Sequence, residues 1–466
     1  MKAYSNRTIV GLAFVSLLLL SCATAPKSPV AGPEIGPLPS AELSPEPGKL
    51  LFAASPELVP LRETRDFLDL VSPGNLKLIF KTDVLETSGY PAWRKSRRST
   101  LVDVVGVRLA FLARRPEGGM ERQSGMLFLP AADPKAVKAL TWVVSVKGTE
   151  QRREAVPSRG KGNEILFQKT MAALGYAVWA PDYSGMGDGE GIQDYCVPES
   201  LAASGLDGLQ AARAWLAKAQ IGGKRAYSET GRMAIIGYSE GGLAAMAILK
   251  ALVEGEIPAP GLRVSAAYPM GAPLNLNSGL PYLREKPTLV THPDYFVLLV
   301  LGWARSHPDS IRVEDIALPR TLERILPLFD GSRSGTEIRR DIALIVGKKP
   351  GAVLDTDLFR EDYLVAMRTD PESLPYYRAQ EAARLDRWAP PPGIPVILAG
   401  TPTDEVVRYS NSESAFAWAK ENSPEADVAL VRLSASAHAK AAVEALLYAI
   451  RDIDRREEEF LQANGK

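Results

Sequence analysis

From about residue 100 onward, short runs of β-branched and aromatic residues alternate with longer stretches in which apolar positions recur every three or four residues. The short runs predict strands over 104–114, 125–130, 140–146, 176–180, 232–238, 264–269, 395–399 and 428–433. The longer stretches predict helices over 163–174, 199–219, 240–252, 413–420 and 439–453. Strands that alternate with helices imply βαβ units, so the fold class is α/β with a mostly parallel central sheet flanked by helices. One block interrupts the alternation. Residues 273–392 carry helical patterns, at 295–303, 356–368 and 371–388, but no convincing strand. An insertion between two strands lies over the crevice at their carboxyl ends, which predicts a helical cap or lid. A structural subdomain with no part in substrate choice is the alternative.

The first residues follow a different pattern. Lys2 and Arg7 are the only charges before residue 21, and 9–20 is almost wholly apolar. That run is shorter than the roughly 20 residues a bilayer span needs. A basic start before a short apolar run is the pattern of an export signal, here 1–21. Leu19-Leu20-Ser21-Cys22 resembles a bacterial lipobox, which implies cleavage before Cys22 and a lipid on that cysteine. Ala23, which is not acidic, then favours the outer membrane. Ala23-Thr24-Ala25 also fits ordinary cleavage, which would release a soluble periplasmic or secreted protein. Nine prolines fall in 22–60, among Ala, Ser, Glu and Gly, and this segment reads as a tether that cannot bury enough apolar surface to fold. The core then divides into 61–272 and 393–466, on either side of the cap at 273–392.

Composition narrows the chemistry. Of 466 residues, 46% are hydrophobic and 24% charged, which excludes a disordered chain or a membrane bundle. Lys+Arg and Asp+Glu both number 55, so there is no basic excess to suggest nucleic acid as a partner. The 2 cysteines exclude a disulfide scaffold and a cysteine-rich zinc module. With Cys22 lipidated, Cys196 remains as a single thiol and reads as a small packing residue. The 3 histidines leave little room for a His-rich metal site and few candidates for a catalytic base.

Ile235-Ile236-Gly237-Tyr238-Ser239-Glu240-Gly241-Gly242 contains G-x-S-x-G between a predicted strand and a predicted helix. That context is what a nucleophile elbow requires, since the serine sits on a sharp turn whose flanking glycines approach closely. A structural strand-to-helix turn is the bland alternative. Serine needs an adjacent base, and histidine titrates near neutrality. The elbow demands the chain order Ser, acid, His. His292 and His307 lie in the cap and read as surface or cap residues, whereas His438 follows the last predicted strand and is the candidate base. Asp404, in Gly400-Thr401-Pro402-Thr403-Asp404-Glu405, is the candidate acid, with Glu405 its nearest rival and a surface carboxylate the alternative. The Glu240 amide is one candidate oxyanion donor. A second comes from Lys147-Gly148-Thr149, with Thr149 the candidate residue, although Gly148 also suits a plain tight turn.

The chain resembles the α/β-hydrolase superfamily and, within it, the secretory lipase group, over about residues 100–455. The resemblance rests on VKGT near 147, WAPDYSGMGDG at 179–189, the DYCVPES stretch before a long helix, GYSEGG at 237–242, GTPTDEVV at 400–407 and the late His438. It implies a lipase or esterase with Ser239, Asp404 and His438 as its triad, and the long insertion before the acid fits it as well. In some members the aspartate of the PDY segment contributes to the oxyanion hole, which would be Asp182 here. Asp182 reads equally well as a loop-organising residue after a strand. The histidine usual before the loop glycine is Lys147 in this chain, and disulfides found in some members have no counterpart.

The implied reaction is two-step acyl transfer through an acyl-serine, which asks for no cofactor and no metal. The partners expected are an ester or lipid substrate and a membrane reached through the N-terminal lipid, with no obligate protein partner. A peptidase or an acyltransferase on the same fold, or a non-catalytic lipid-anchored binding protein, are the competing readings.

Overall fold

A computed structural model describes residues 46–80, 85, 89–279 and 287–464. The expected export signal at 1–21 and Cys22 lie outside the described residues. Two short strands come first, β1 (Leu50–Ala53) and β2 (Glu57–Val59), then three helices, α1 (Leu61–Leu70), α2 (Pro73–Phe80) and α3 (Tyr90–Arg98). The long strands β3 (Val104–Arg114) and β4 (Met120–Pro130) form a hairpin, followed by β5 (Lys138–Val146), α4 (Ile165–Ala173), β6 (Ala177–Pro181) and α5 (Pro198–Leu216). A two-residue pair, β7 (Gln220–Ile221) and β8 (Lys224–Arg225), precedes β9 (Tyr227–Tyr238), α6 (Glu240–Val253) and β10 (Arg263–Met270). The insertion carries α7 (Pro293–Ser306), α8 (Pro319–Ile325), α9 (Gly335–Ile345), α10 (Asp355–Leu358), α11 (Glu361–Thr369) and α12 (Pro375–Ala382). The chain closes with β11 (Val396–Gly400), α13 (Ser410–Asn422), β12 (Val428–Arg432) and α14 (His438–Ala463).

Ten strands share one sheet in the order β1-β3-β4-β6-β5-β9-β10-β11-β12, with β2 also paired to β3. Pairing is antiparallel from β1 to β6 and parallel from β6 through β12. Strands β5 and β6 lie inside the sheet and are buried on both faces, which is why they read as continuous apolar runs rather than alternations. Helices α5 and α6 are rich in Ala, Gly and Leu and cover one face, where they share an apolar core with the cap. Helices α1, α3, α4 and α14 cover the other. Val146, Tyr238, Met270, Gly400 and Arg432 therefore all end at one edge, the carboxyl edge at which open α/β sheets place their ligands.

Three expectations are corrected. The tether to residue 60 is too long, because β1 and β2 pair with β3 and bury Leu51 and Ala53. The prolines dominate the composition of that window and hide a short alternating strand at its end. The helix expected over 356–368 is two helices. Phe359 is extended and bridges to Ala317, and the Arg360 amide donates to Ile316 O, so backbone pairing across the cap replaces helical bonds there. The helix expected over 371–388 is a single 3-10 turn (Pro371–Ser373) followed by α12. Beyond α12 the Leu385 amide leaves for Leu274 O.

Helix α14 runs ten residues past the expected end at 453, and its tail has a purpose. Asp454 accepts from Trp93 Nε1 at 2.6 Å, from Arg97 Nε at 2.6 Å and from Tyr176 OH at 3.1 Å. One carboxylate thus ties α3, the start of β6 and α14 together. Removing it strands two buried donors and leaves the Arg97 guanidinium with Glu458 alone. Asp454→Ala is expected to lower unfolding stability by about 3 kcal/mol, and Asp454→Asn by less. Urea denaturation checks this, and a loss under about 1 kcal/mol would refute the tie.

Candidate active site

Ser239 stands between β9 and α6 with φ 61° and ψ −125°. A non-glycine residue at positive φ is held there by its surroundings rather than by preference. The surroundings are visible. The Ser239 amide donates to Met270 O at 2.9 Å, and the Leu243 amide returns to Ser239 O at 3.1 Å. A β-carbon on Gly237 would lie 2.1 Å from Gly241 O, and one on Gly241 would lie 2.4 Å from Val146 O. The two glycines of the motif are therefore required by close backbone approach. Glu240 opens α6, and the first amides of a helix have no partner within it and carry partial positive charge.

The Ser239 hydroxyl is 2.9 Å from His438 Nε2, and His438 Nδ1 is 2.7 Å from Asp404 Oδ2. These three residues follow β9, β11 and β12, with β10 standing between the first two in the sheet. The His438 side chain is 14% exposed and that of Asp404 only 1%. Asp404 Oδ1 faces the other way and accepts the Val406 and Val407 amides at 2.9 and 2.7 Å. Glu405, the rival acid, accepts the His438 backbone amide at 3.0 Å and makes no bond to the ring. Tyr238 supports the same group, donating from its hydroxyl to His438 O at 3.0 Å and lying 3.5 Å from Asp404 Oδ2. The motif did not single out Tyr238, because its place there is that of an unspecified residue.

Asp182, Thr149, His292 and His307 make no hydrogen bond to Ser239, His438 or Asp404. Fully buried, Asp182 accepts the Ser124 hydroxyl on one oxygen and the Ser158 amide at 2.9 Å on the other. It organises the loop after β6, and the expectation of an oxyanion role for it is dropped. Thr149 lies on the loop beside Ser239, with its hydroxyl 2.9 Å from Tyr195 OH. His307 stacks on Trp303 and His292 on Tyr295, both within the cap. Cys196 is buried, as a packing residue would be.

Sequence reasoning missed a set of buried charges behind Ser239. Lys147 is 1% exposed, with its ammonium 4.2 Å above the Tyr183 ring and no hydrogen-bond partner among the described residues. Around it stand Glu150, Glu164 and Glu240. Burial pushes the carboxyls of Glu150 and Glu240 up to about 7 and raises that of Glu164, while Lys147 opposes the shift in all three. The sign for stability follows. A carboxyl whose folded value lies above its ordinary 4.5 favours the fold at low pH, and the benefit is lost as pH rises through about 7. Glu240→Gln is therefore expected to gain melting temperature relative to the parent chain between pH 5 and pH 8. Equal offsets at both pH values would sink that reading.

The cap is fastened to the loops that frame the site. Arg305 of α7 reaches Asp194 at 2.6 Å, Ser184 at 2.6 Å and Glu121 at 2.7 Å. Gln151 donates to Asp294 at 3.1 Å, and Tyr295 lies 6.1 Å from Tyr195, ring to ring. Helix α7 is thus tied to the core near both of its ends.

No protein-family model and no curated protein matches the sequence. Solved structures do. The rice cell wall degrading esterase LipA from Xanthomonas oryzae superposes with a TM-score of 0.64 at 19% identity, over 90% of this chain and all of that one (100%). A protein of Legionella pneumophila gives 0.61 at 21% identity, over 80% and 94%. Lipase A of Candida antarctica in its closed state gives 0.55 at 14% identity, over 84% and 78%. At such identities the likeness speaks for architecture, and with the sheet order and the insertion before β11 it establishes that the chain has the α/β-hydrolase fold with a helical cap.

Proposed function

We propose that the chain is a serine hydrolase of carboxylic esters, an esterase or lipase. The observation that carries this is the unbroken hydrogen-bonded run from Ser239 through His438 to Asp404, with the serine on a strained turn at the start of α6. The esterase and lipase among the superposing structures support it. In this reading His438 Nε2 takes the hydroxyl proton as Ser239 Oγ attacks the ester carbonyl. The Glu240 amide holds the oxyanion together with a donor from the 147–149 loop. His438 then protonates the leaving alcohol, and water enters by the same route to free the acid. Asp404 fixes the imidazole and balances its charge while it is protonated. No step calls for a cofactor or a metal.

The substrate is an ester or lipid that fits beneath α7. Among the described residues no helix is long and apolar enough to cross a membrane. Attachment to the outer membrane through a lipid on Cys22 is part of the proposal and rests on the leader alone. Hydrolysis of p-nitrophenyl esters from acetyl to palmitoyl, with fluorophosphonate labelling mapped to its peptide, tests the activity. Labelling at Ser239 with turnover is the expected result, and the chain-length profile separates esterase from lipase. A folded protein that neither turns over any ester nor labels at Ser239 would overturn it in favour of a binding protein.

A further inference from the structure

The loop that follows β5 comes to within contact of the elbow. A β-carbon on Gly148 would stand 3.9 Å from Ser239 Cβ and 3.1 Å from Glu164 Oε1. The Gly148 amide is already taken, since it donates to Glu164 Oε1 at 3.0 Å. Glu164 precedes α4 and its side chain is buried, an unfavourable place for a carboxyl that an apolar residue would fill more cheaply. What the carboxyl contributes there is orientation, because a peptide plane held by its amide cannot turn. The far side of the loop is pinned too, where the Thr149 hydroxyl meets Tyr195 OH. Between these pins the Thr149 amide has no partner among the described residues.

We propose that Glu164 is a positioning residue for acyl transfer: by binding the Gly148 amide it fixes the 147–149 loop so that the Thr149 amide completes the oxyanion site beside the Glu240 amide. This rests on the serine-hydrolase reading above. Glu164 touches no reacting atom. Its influence falls on the step in which charge builds on the former carbonyl oxygen, so it acts on kcat and leaves substrate binding alone. The Gly148 amide is thereby removed from the candidate donors, and the second donor is narrowed to Thr149.

The test uses the full chain with p-nitrophenyl butyrate, beside Ser239→Ala. Glu164→Ala is expected to lower kcat by about 100-fold with KM within about threefold, and to weaken a trifluoromethyl ketone inhibitor by a similar factor. Glu164→Gln keeps a carbonyl oxygen for the Gly148 amide and is expected to recover kcat to within about fivefold. Gly148→Ala presses a methyl against the Glu164 oxygen and is expected to cost kcat about tenfold without changing the melting temperature. A folded Glu164→Ala with near-parental kcat overturns the proposal, as does a Glu164→Gln variant as impaired as Glu164→Ala. Should Glu164→Ala fail to fold, full kcat in Gly148→Ala overturns it instead. An active Ser239→Ala would bring down the serine reading itself. An inactive Ser239→Ala beside an unaffected Glu164→Ala brings down this inference alone.

Discussion

Ser239→Ala is expected to abolish ester turnover, with kcat falling about 10⁴- to 10⁶-fold, while the protein folds as before. The fold is spared because the strain belongs to the backbone. Alanine meets the same positive φ, and the bonds that hold it, from the 239 amide to Met270 O and from the Leu243 amide to the 239 carbonyl, are main-chain bonds. What is lost is the oxygen that lies 2.9 Å from His438 Nε2. His438 is partly exposed, so water can take up that nitrogen at little cost in stability. His438→Ala is expected to cost nearly as much activity. The double variant should be no worse than about threefold below either single one, because the two side chains serve one proton transfer. Rates per mole of enzyme and fluorophosphonate labelling of all three variants check this. Additive losses would mean that Ser239 and His438 act independently, which the reaction proposed here forbids.

The parts of this site that were legible in the sequence are those that a reaction imposes on chain order. A serine between close-packed glycines must follow a strand and open a helix, and its acid and base must come later, after subsequent strands of the same sheet. With 3 histidines in the chain, that rule left His438 as the candidate base. The strands were legible because parallel strands buried on both faces appear as unbroken apolar runs. Strand ends were harder to place: β9 begins at Tyr227, five residues before the expected start, in a polar stretch that pairs with β5 and adds side-chain bonds from Glu229 to Trp142 and between Thr230 and Thr141. Helix α3 is held by the distant carboxylate of Asp454, a meeting that no local pattern announces. The same reason hid Lys147, Glu164 and Tyr238. Each acts through a partner 16 to 200 residues away, and no local periodicity encodes such a meeting. Asp182 shows the reverse error. It was singled out through a resemblance, and its oxygens turn out to be bound to Ser124 and Ser158.

Asp404→Asn carries the second large effect, and the surrounding hydrogen bonds dictate its direction. Asp404 uses Oδ1 to accept two amides, from Val406 and Val407, and Oδ2 to meet His438 Nδ1. An asparagine in this position has one acceptor and one donor end. Turning its NH₂ toward the two amides would oppose donor to donor twice in a buried place, so its carbonyl must stay there. The NH₂ then faces His438 Nδ1, which has to become the acceptor of the ring. The ring proton moves to Nε2, the nitrogen that should receive the proton of Ser239. The variant therefore holds the wrong tautomer, and kcat is expected to fall about 10⁴-fold with stability changed by no more than about 1 kcal/mol. Glu405→Gln bears on the His438 backbone amide alone and is expected to cost only a few-fold. Initial rates at pH 8 and urea denaturation of the two variants decide the matter. If Asp404→Asn keeps activity within tenfold of the parent, or if Glu405→Gln is the more damaging change, the orienting acid has been assigned to the wrong residue of the pair.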